Sequence, residues 1–528
     1  MNILDILHKN KQINQWQSGL NKSTRQLLLG LSGTSKSLVM ATAYDCLAEK
    51  IMIVTASQNE AEKLVADLTA IIGSENVYNF FTDDSPIAEF IFASKERIQS
   101  RIDSLNFLTD TTRSGIIVVS MAACRVLLPN PVTYKNAKIQ IEIGQEFEVD
   151  TLVKKLVNIG YKKVSRVLTQ GEFSQRGDIL DIFDMQADSP YRLEFFGDEI
   201  DGIRIFDVDS QKSLENLDKV IIAPASDILL SSEDYKRARQ KIQIAIEHSS
   251  IEDQQSYLRE VLADMQAEYR HPDLRKFLSF LYENSWTLLD YLPKSSPLFL
   301  DDFHKIADKQ AQFEKEVAEL LTDDLQNSKS VSSLQYFAST YSELRKYKPA
   351  TFFSSFQKGL GNVKFDALYQ FTQYPMQEFF HQIPLLKEEL TRYAKSKNTV
   401  IIQASSESSL HTLQKALQEY NIQLPSYPSD KLVEGQQQVT IGQFTAGFHL
   451  MDEKLVLITE KEIFNKKIKR KVRKTNISNA ERIKDYSELA VGDYVVHHVH
   501  GIGQYLGIET IEISGIHRDY LTVQYQNA

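Results

Sequence analysis

Two cysteines in 528 residues, Cys46 and Cys124, exclude a disulfide framework or a cysteine-built zinc site. Both sit in apolar stretches, as a reducing cytoplasm permits. No window reaches the roughly 18 consecutive apolar residues of a membrane span. The start, Met1 to Gln12, mixes Asp5, Lys9 and Lys11 into a short apolar pattern unlike a secretion signal. These absences predict a soluble, cytoplasmic protein with no membrane partner. With 13 Pro and 21 Gly, the composition also excludes collagenous, mucin-like and mostly disordered classes. Positive charge is in deficit: 60 Lys+Arg against 70 Asp+Glu leave a net charge of -10, so any contact with nucleic acid must be local. At about 150 residues per domain, the length predicts about three to four domains.

What is present is an alternation of strands and helices. The run Gln26 to Leu31 (QLLLGL), a Ser-Gly-Thr-Ser loop, and a helical stretch from Lys36 to Lys50 are followed by Ile51 to Thr55 (IMIVT). A helix from Gln58 to Ile72 and the run Ile116 to Val119 continue the pattern. Solidly apolar strands separated by helices predict a parallel sheet. Around Ile139 the texture changes to period-two alternation (IQIEI), then a short helix from Asp150 to Ile159. Asp178 to Phe183 and Tyr191 to Phe196 follow, reading as paired antiparallel strands of a small α+β insert. A helical region from Ser231 to Asp290 ends in Ser296 to Asp302 (SPLFLDD), which predicts a return to the first sheet. A second α/β region spans about Ser339 to Glu462, with Thr399 to Gln403 and Leu455 to Thr459 flanking a helix from Ser406 to Glu419. Lys461 to Lys474 carries eight basic residues in fourteen, with Phe464 as its one aromatic, and reads as a solvated linker rather than a nucleic-acid patch. From Leu489 the pattern is β-like, with turn glycines at Gly501, Gly503 and Gly507, as in a small barrel that Ala528 cuts short.

Gly30-Leu-Ser-Gly-Thr-Ser-Lys36-Ser37 nearly satisfies G-x-x-x-x-G-K-[ST] between a strand and a helix. Ser35 replaces the second glycine, and its Cβ disfavours the backbone that turns successive N–H groups toward phosphates. Lys36 and Ser37 keep the chemistry to meet phosphate and magnesium. The matching acidic pair is Asp301-Asp302 at the end of an apolar run; Asp302 stands where a glutamate would position water. No Q-x-x-G-R-x-x-R-like segment supplies the arginines of a second motor lobe. The sequence therefore predicts no catalytic residues, and a vestigial nucleotide site at Gly30, Lys36, Ser37, Asp301 and Asp302. His497, His498 and His500 have no cysteine or carboxylate clustered beside them, so no metal is expected.

Together these segments resemble the N-terminal half of the bacterial transcription-repair coupling factor family, whose first module is shared with the excision-repair helicase UvrB. Gly30 to Ser37 resembles that family's worn phosphate loop, and Ser285 to His304 is similar to a UvrB stretch. Further family-like signatures are Asp83 to Glu89, Gly171 to Gly177, Tyr191 to Asp201 and Phe206 to Gln211. The resemblance implies an α/β multidomain fold: a UvrB-like, degenerate P-loop NTPase-type parallel sheet with an α+β insert, a second α/β domain, and a small, truncated Tudor/SH3-like β-barrel. The implied boundaries are 1–138 and 214–338 for the two parts of the first domain, 139–213 for an insert that binds UvrA, 339–463 for a family-specific domain, 464–486 for the basic linker, and 487–528 for an RNA polymerase-interaction domain. UvrB's tyrosine-rich, lesion-clamping hairpin corresponds here to the short stretch Val77 to Pro86.

By resemblance, the UvrA-docking residues are Arg176, Arg192 and Phe196. Arginines that pair bidentately with carboxylates beside an aromatic anchor are the usual composition of a binding hot spot. The alternative is that Arg192 pairs with Glu194 or Glu199 on the sheet surface and that Phe196 is core. In the tail, Leu521 and Val523 are candidates for contact with the RNA polymerase β-subunit by strand addition, with burial inside the barrel as the alternative. The resemblance places an ATP- and magnesium-dependent translocase, and most DNA contact, in motor domains beyond Ala528. The expected function is transcription-coupled nucleotide excision repair through binding of stalled polymerase and UvrA. The rival is a UvrB-type DNA-dependent ATPase acting through Lys36, Ser37, Asp301 and Asp302.

Overall fold

The computed structural model describes residues 1–91, 94–268, 271–356, 360, 363–465, 494–497, 501–513 and 516–524. The solidly apolar runs form parallel strands β1 (Arg25–Leu29), β2 (Lys50–Thr55) and β4 (Gly115–Ser120), and β3 (Val77–Phe80), which no apolar run announces, pairs parallel with β4. Helix α1 (Thr34–Leu47) joins β1 to β2, and α2 (Gln58–Ile72) joins β2 to β3. β2 and β4 are buried along their whole length, as strands covered on both faces must be. The start of α2 is fixed by Ser57, whose hydroxyl accepts the Glu60 N–H at 3.4 Å.

The insert adds β5 (Ile139–Glu142), β6 (Lys162–Lys163), β7 (Glu172–Arg176), β8 (Ile179–Ile182), β9 (Tyr191–Phe196), β10 (Glu199–Phe206), β11 (Ser213–Leu217) and β12 (Lys219–Ile222). Six of these make a sheet in the order β11-β10-β9-β8-β7-β6, while β5 and β12 pair antiparallel with each other. The expected pairing of β8 with β9 is present, with Asp181 opposite Arg192. The inward residues Leu180, Leu193, Phe195 and Ile203 belong to the same apolar cluster as Met52 and Val54, so the insert and the first sheet share one continuous core. The insert runs past residue 213, where the sequence ended it: β11 completes the six-stranded sheet and β12 closes back on β5. β11 (SLENL) is largely exposed, so its sequence carries little apolar alternation.

The chain returns to the first sheet as β13 (Leu298–Asp301), as expected. It does not then leave at residue 338. β14 (Ala350–Ser354) inserts between β1 and β13, and β15 (Ala367–Gln370) pairs parallel with the other side of β1. The seven-stranded order β15-β1-β14-β13-β2-β4-β3 thus carries the first sheet on to Gln370, past the expected boundary at 338. The remainder forms a five-stranded sheet, β16-β19-β20-β17-β18, from β16 (Gln373–Pro375), β17 (Thr399–Ala404), β18 (Gln437–Ile441), β19 (Phe448–Leu450) and β20 (Leu455–Thr459). Phe444, Phe448, Leu455 and Leu457 of this region pack in one cluster with Trp16, Leu28, Leu38 and Phe353 of the first.

The tail contributes β21 (Tyr494–His497), β22 (Gly501–Ile513) and β23 (Ile516–Gln524). Among the described residues these three strands form an antiparallel sheet in the order β21-β22-β23. Of the basic linker, residues 466–486 lie outside the described residues, as do His498 and His500.

The Asp83 to Glu89 signature has a structural role. Glu89 accepts both terminal nitrogens of the fully buried Arg101, at 2.7 and 2.6 Å, and is 3.2 Å from Arg275. Asp227, just past the insert, takes Arg101 at 3.0 Å and Arg275 at 2.7 Å. These five-donor guanidinium groups satisfy two carboxylates buried almost completely, and they tie the chain after β12 to the helix Lys95–Thr109.

Candidate functional sites: a filled phosphate loop and an arginine-aromatic face

The loop after β1 has the strand-loop-helix placement that the sequence predicts. Gly30 has φ +87°, and a Cβ there would collide with the Phe371 carbonyl oxygen, so this glycine is required by close approach of the chain's own backbone. That approach is continuous with the sheet, because Phe371 N–H donates to Leu29 O at 2.9 Å, extending the β15–β1 ladder. Two residues on, the Gln373 side chain enters the loop. Its Oε1 accepts the Ser32 N–H at 2.9 Å and the Ser35 hydroxyl, while its Nε2 donates to Ser32 O at 3.1 Å and Ser32 Oγ at 3.0 Å. Ser35, the residue that breaks the motif, is fully buried, and its one hydroxyl proton is shared between Gln373 Oε1 and Ser32 O, the latter 2.9 Å away.

Lys36 and Asp301 are brought together as a half-buried ion pair. The Ser37 hydroxyl donates to Asp67 Oδ2 at 3.1 Å. Asp302 is separate: it holds φ +59° ahead of the helix α3 (Phe303–Gln326), gives α3 no side-chain cap, and lies 3.4 Å from Lys305. Lys305 in turn pairs with Glu60 at 3.2 Å. A loop N–H, the lysine, the serine hydroxyl and the first aspartate are each engaged by the chain itself.

Sequence reading missed Asp67, Gln373 and Thr445. Asp67 is 2% exposed on α2 and accepts the Thr445 N–H at 2.9 Å and the Thr445 hydroxyl at 3.1 Å. Burial raises its carboxyl above the usual aspartate value, against the opposing hydrogen bonds from Thr445, Thr34 and Ser37. Beside it, Ala446 N–H donates to the Thr34 hydroxyl at 3.2 Å. No local signal points to these contacts, since the partners lie hundreds of residues apart in the chain.

On the insert, strand register gathers Arg176, Ile179, Asp181, Arg192, Glu194, Phe196 and Arg204 on one face of β7 to β10. Phe196 is 81% exposed, so the alternative that it is core is overturned. Arg176 is exposed, and its guanidinium donates to Ser165 O at 3.3 Å through Nε and 2.6 Å through Nη2. Arg192 pairs with neither Glu194 nor Glu199: it is bidentate to Asp181, at 2.7 and 2.9 Å, and lies 4.3 Å over the Phe206 ring. The hydrogen bond to Asp181 raises its already high pKa further. Glu194 is taken instead by Arg204 at 2.8 Å. In the tail, Leu521 is opposite Ile508 and Val523 opposite Tyr505 in the β22–β23 ladder; the placement of their side chains lies outside what is described.

Comparison with known proteins divides the chain along these elements. A UvrB interaction domain family matches residues 139–227, the D3 domain of MFD matches 393–463, and the CarD-like/TRCF RID domain matches 489–528. The first match ends beyond β12. The transcription-repair-coupling factor of Bacillus subtilis is 34% identical, covering 100% of this chain and 46% of that protein. Those of Staphylococcus aureus strains RF122 and MRSA252 are each 30% identical over the same shares. Among solved structures, the Hef helicase domain of Pyrococcus furiosus covers 84% of this chain and 87% of that chain at 10% identity, with a TM-score of 0.14, which carries no argument. The chain spans about half the length of the curated relatives it matches. Over its full length, it belongs with the N-terminal half of the transcription-repair-coupling factors.

Proposed function

We propose that this chain is the recruiting half of a transcription-coupled excision-repair factor: it binds UvrA through the insert and RNA polymerase through the tail, and acts by binding rather than by turnover. The observation that carries this reading is the face of β7 to β10. There an 81%-exposed phenylalanine, Phe196, stands on the same face as Arg176 and Arg192, within the segment that matches a UvrB interaction domain. A large aromatic held in water on an antiparallel sheet, flanked by guanidinium groups, is what a partner surface with carboxylates and an apolar pocket recognises. Arg176 and Phe196 present themselves directly, while Arg192 contributes through its pair with Asp181, which holds the centre of the face in place.

The polymerase contact follows from the tail. β23 is an edge strand among the described residues, and an edge offers unpaired backbone groups to a partner's strand. Leu521 and Val523 are the proposed side-chain readers, and the β-subunit is the proposed partner. ATP, magnesium and most DNA contact are assigned, by the resemblance, to motor domains outside these 528 residues; support for a non-catalytic role here comes from the filled loop around Ser32, Lys36 and Ser37.

The test is co-precipitation of the purified chain with UvrA and, separately, with RNA polymerase core. The reading expects both to be retained, with UvrA weakened by Arg176→Ala and Phe196→Ala in chains that remain folded and polymerase lost on deletion of 489–528. Failure to retain either wild-type partner contradicts it.

A further inference from the structure

The residues that nearly spell a phosphate loop lie where the chain passes from the seven-stranded sheet to the five-stranded one. β15 ends at Gln370 beside β1, Phe371 continues that ladder to Leu29, and Gln373 begins the edge strand β16 opposite Leu450. The crossing segment is therefore laid into the loop itself. On the other side of the N-terminus of α1, the turn between β18 and β19 brings Thr445 and Ala446 against Thr34 and Asp67, whose carboxylate also accepts the Ser37 hydroxyl. Two separate segments of the second sheet's domain thus take up the polar groups of the loop and of the first turn of α1.

We infer that this loop is a plugged joint: Gln373 fills the anion seat and the Asp67–Thr445 cluster locks the five-stranded sheet to α1 and α2, so the remnant site couples two domains instead of admitting a nucleotide. Three features favour a joint over incidental contact. Ser35, Ser37, Thr34 and Asp67 are all buried, so their hydrogen-bonding groups have no water as an alternative and must be satisfied by the partners named. The amide of Gln373 engages Ser32 through both its oxygen and its nitrogen, a match that fixes its orientation in the loop. Apolar packing is continuous across the same boundary, with Phe444 and Phe448 in one cluster with Leu38 and Leu28. The consequence is reciprocal: loosening one side of the joint loosens the other. The inference concerns contacts within the chain and does not depend on which proteins the insert and tail bind.

Hydrogen exchange of the full chain, read by mass spectrometry, tests it. Asp67→Ala removes the shared acceptor, Thr445→Val is a milder change that keeps the volume, and Gln373→Ala empties the loop. Each is expected to raise exchange at least about fivefold in both 32–37 and 443–447, with peptides from the sheet interiors, β2, β4 and β20, unchanged. Acceleration confined to the substituted side, or none, overturns the joint. As a second arm, Ser35→Gly restores the motif with Gln373 still in place. Millimolar Mg-ATP is expected to leave exchange at 30–37 unchanged in that variant; protection by Mg-ATP there would show that the lost glycine, not the plug, closes the loop.

Discussion

The Lys36 ammonium is bonded to the Asp301 carboxylate, joining the helix after the phosphate-like loop to the end of a strand 265 residues away. In a nucleotide-binding arrangement these two groups would face phosphate and magnesium; here they neutralise each other. Lys36→Ala is expected to destabilise the chain by about 2–3 kcal/mol, because it leaves a buried carboxylate unpaired. Urea denaturation followed by circular dichroism measures this. Lys36→Met/Asp301→Leu should recover most of the loss. ATP hydrolysis by the wild-type chain, with or without DNA, should equal that of Lys36→Ala.

Arg192 and Phe196 share a face but have different structural duties. Arg192→Ala strands Asp181, which is 5% exposed, and should lower stability by about 2 kcal/mol, partly masking its effect on binding. Phe196→Ala removes a side chain already in water and should change stability by less than about 0.5 kcal/mol. Melting curves that rank the two in the opposite order would contradict this division.

Burial alone would raise the Glu89 carboxyl, but the charges and hydrogen bonds of Arg101, with Arg275 and Arg97, outweigh it and hold the group below its ordinary 4.5. Asp227, also buried, is held far below 3.8 by Arg275 and Arg101. With the folded values depressed, the unfolded chain binds more protons, so stability is fully present above about pH 4.5 and is lost as pH falls through the folded values. Denaturant midpoints measured from pH 6 down to pH 3 should decline, and Glu89→Gln should flatten that decline while lowering stability at pH 6.

The two thiols should behave differently. Cys46 is exposed, against the apolar setting its neighbours imply, whereas Cys124 is fully buried, and burial pushes its thiol up to about 12. Native alkylation by iodoacetamide should therefore label Cys46 and spare Cys124, and denaturation should expose the second. Equal labelling of both in the native state would contradict the placement of Cys124.

Elements with a strong local period were legible in the sequence. The helix Gln58–Ile72 and the pairing of β8 with β9 stand where the apolar pattern put them, because each is specified by neighbours within a few residues. β14 and β15 were missed as members of the first sheet because an apolar pentapeptide such as ATFFS says that it is buried, not between which strands. Asp67 and Gln373 carried no signal: their partners Thr445 and Ser32 lie 378 and 341 residues away. The exposure of Phe196 was half-legible, since strand parity puts it on the face of Arg192 but parity alone does not say which face meets water.

The most direct test of the recruiting role is the affinity of UvrA for the wild-type chain and for Phe196→Ala, measured by titration calorimetry with folding verified. The account predicts that Phe196→Ala weakens binding about thirtyfold, the loss of about 2 kcal/mol expected of an aromatic anchor. Unchanged affinity in a folded Phe196→Ala chain would contradict it.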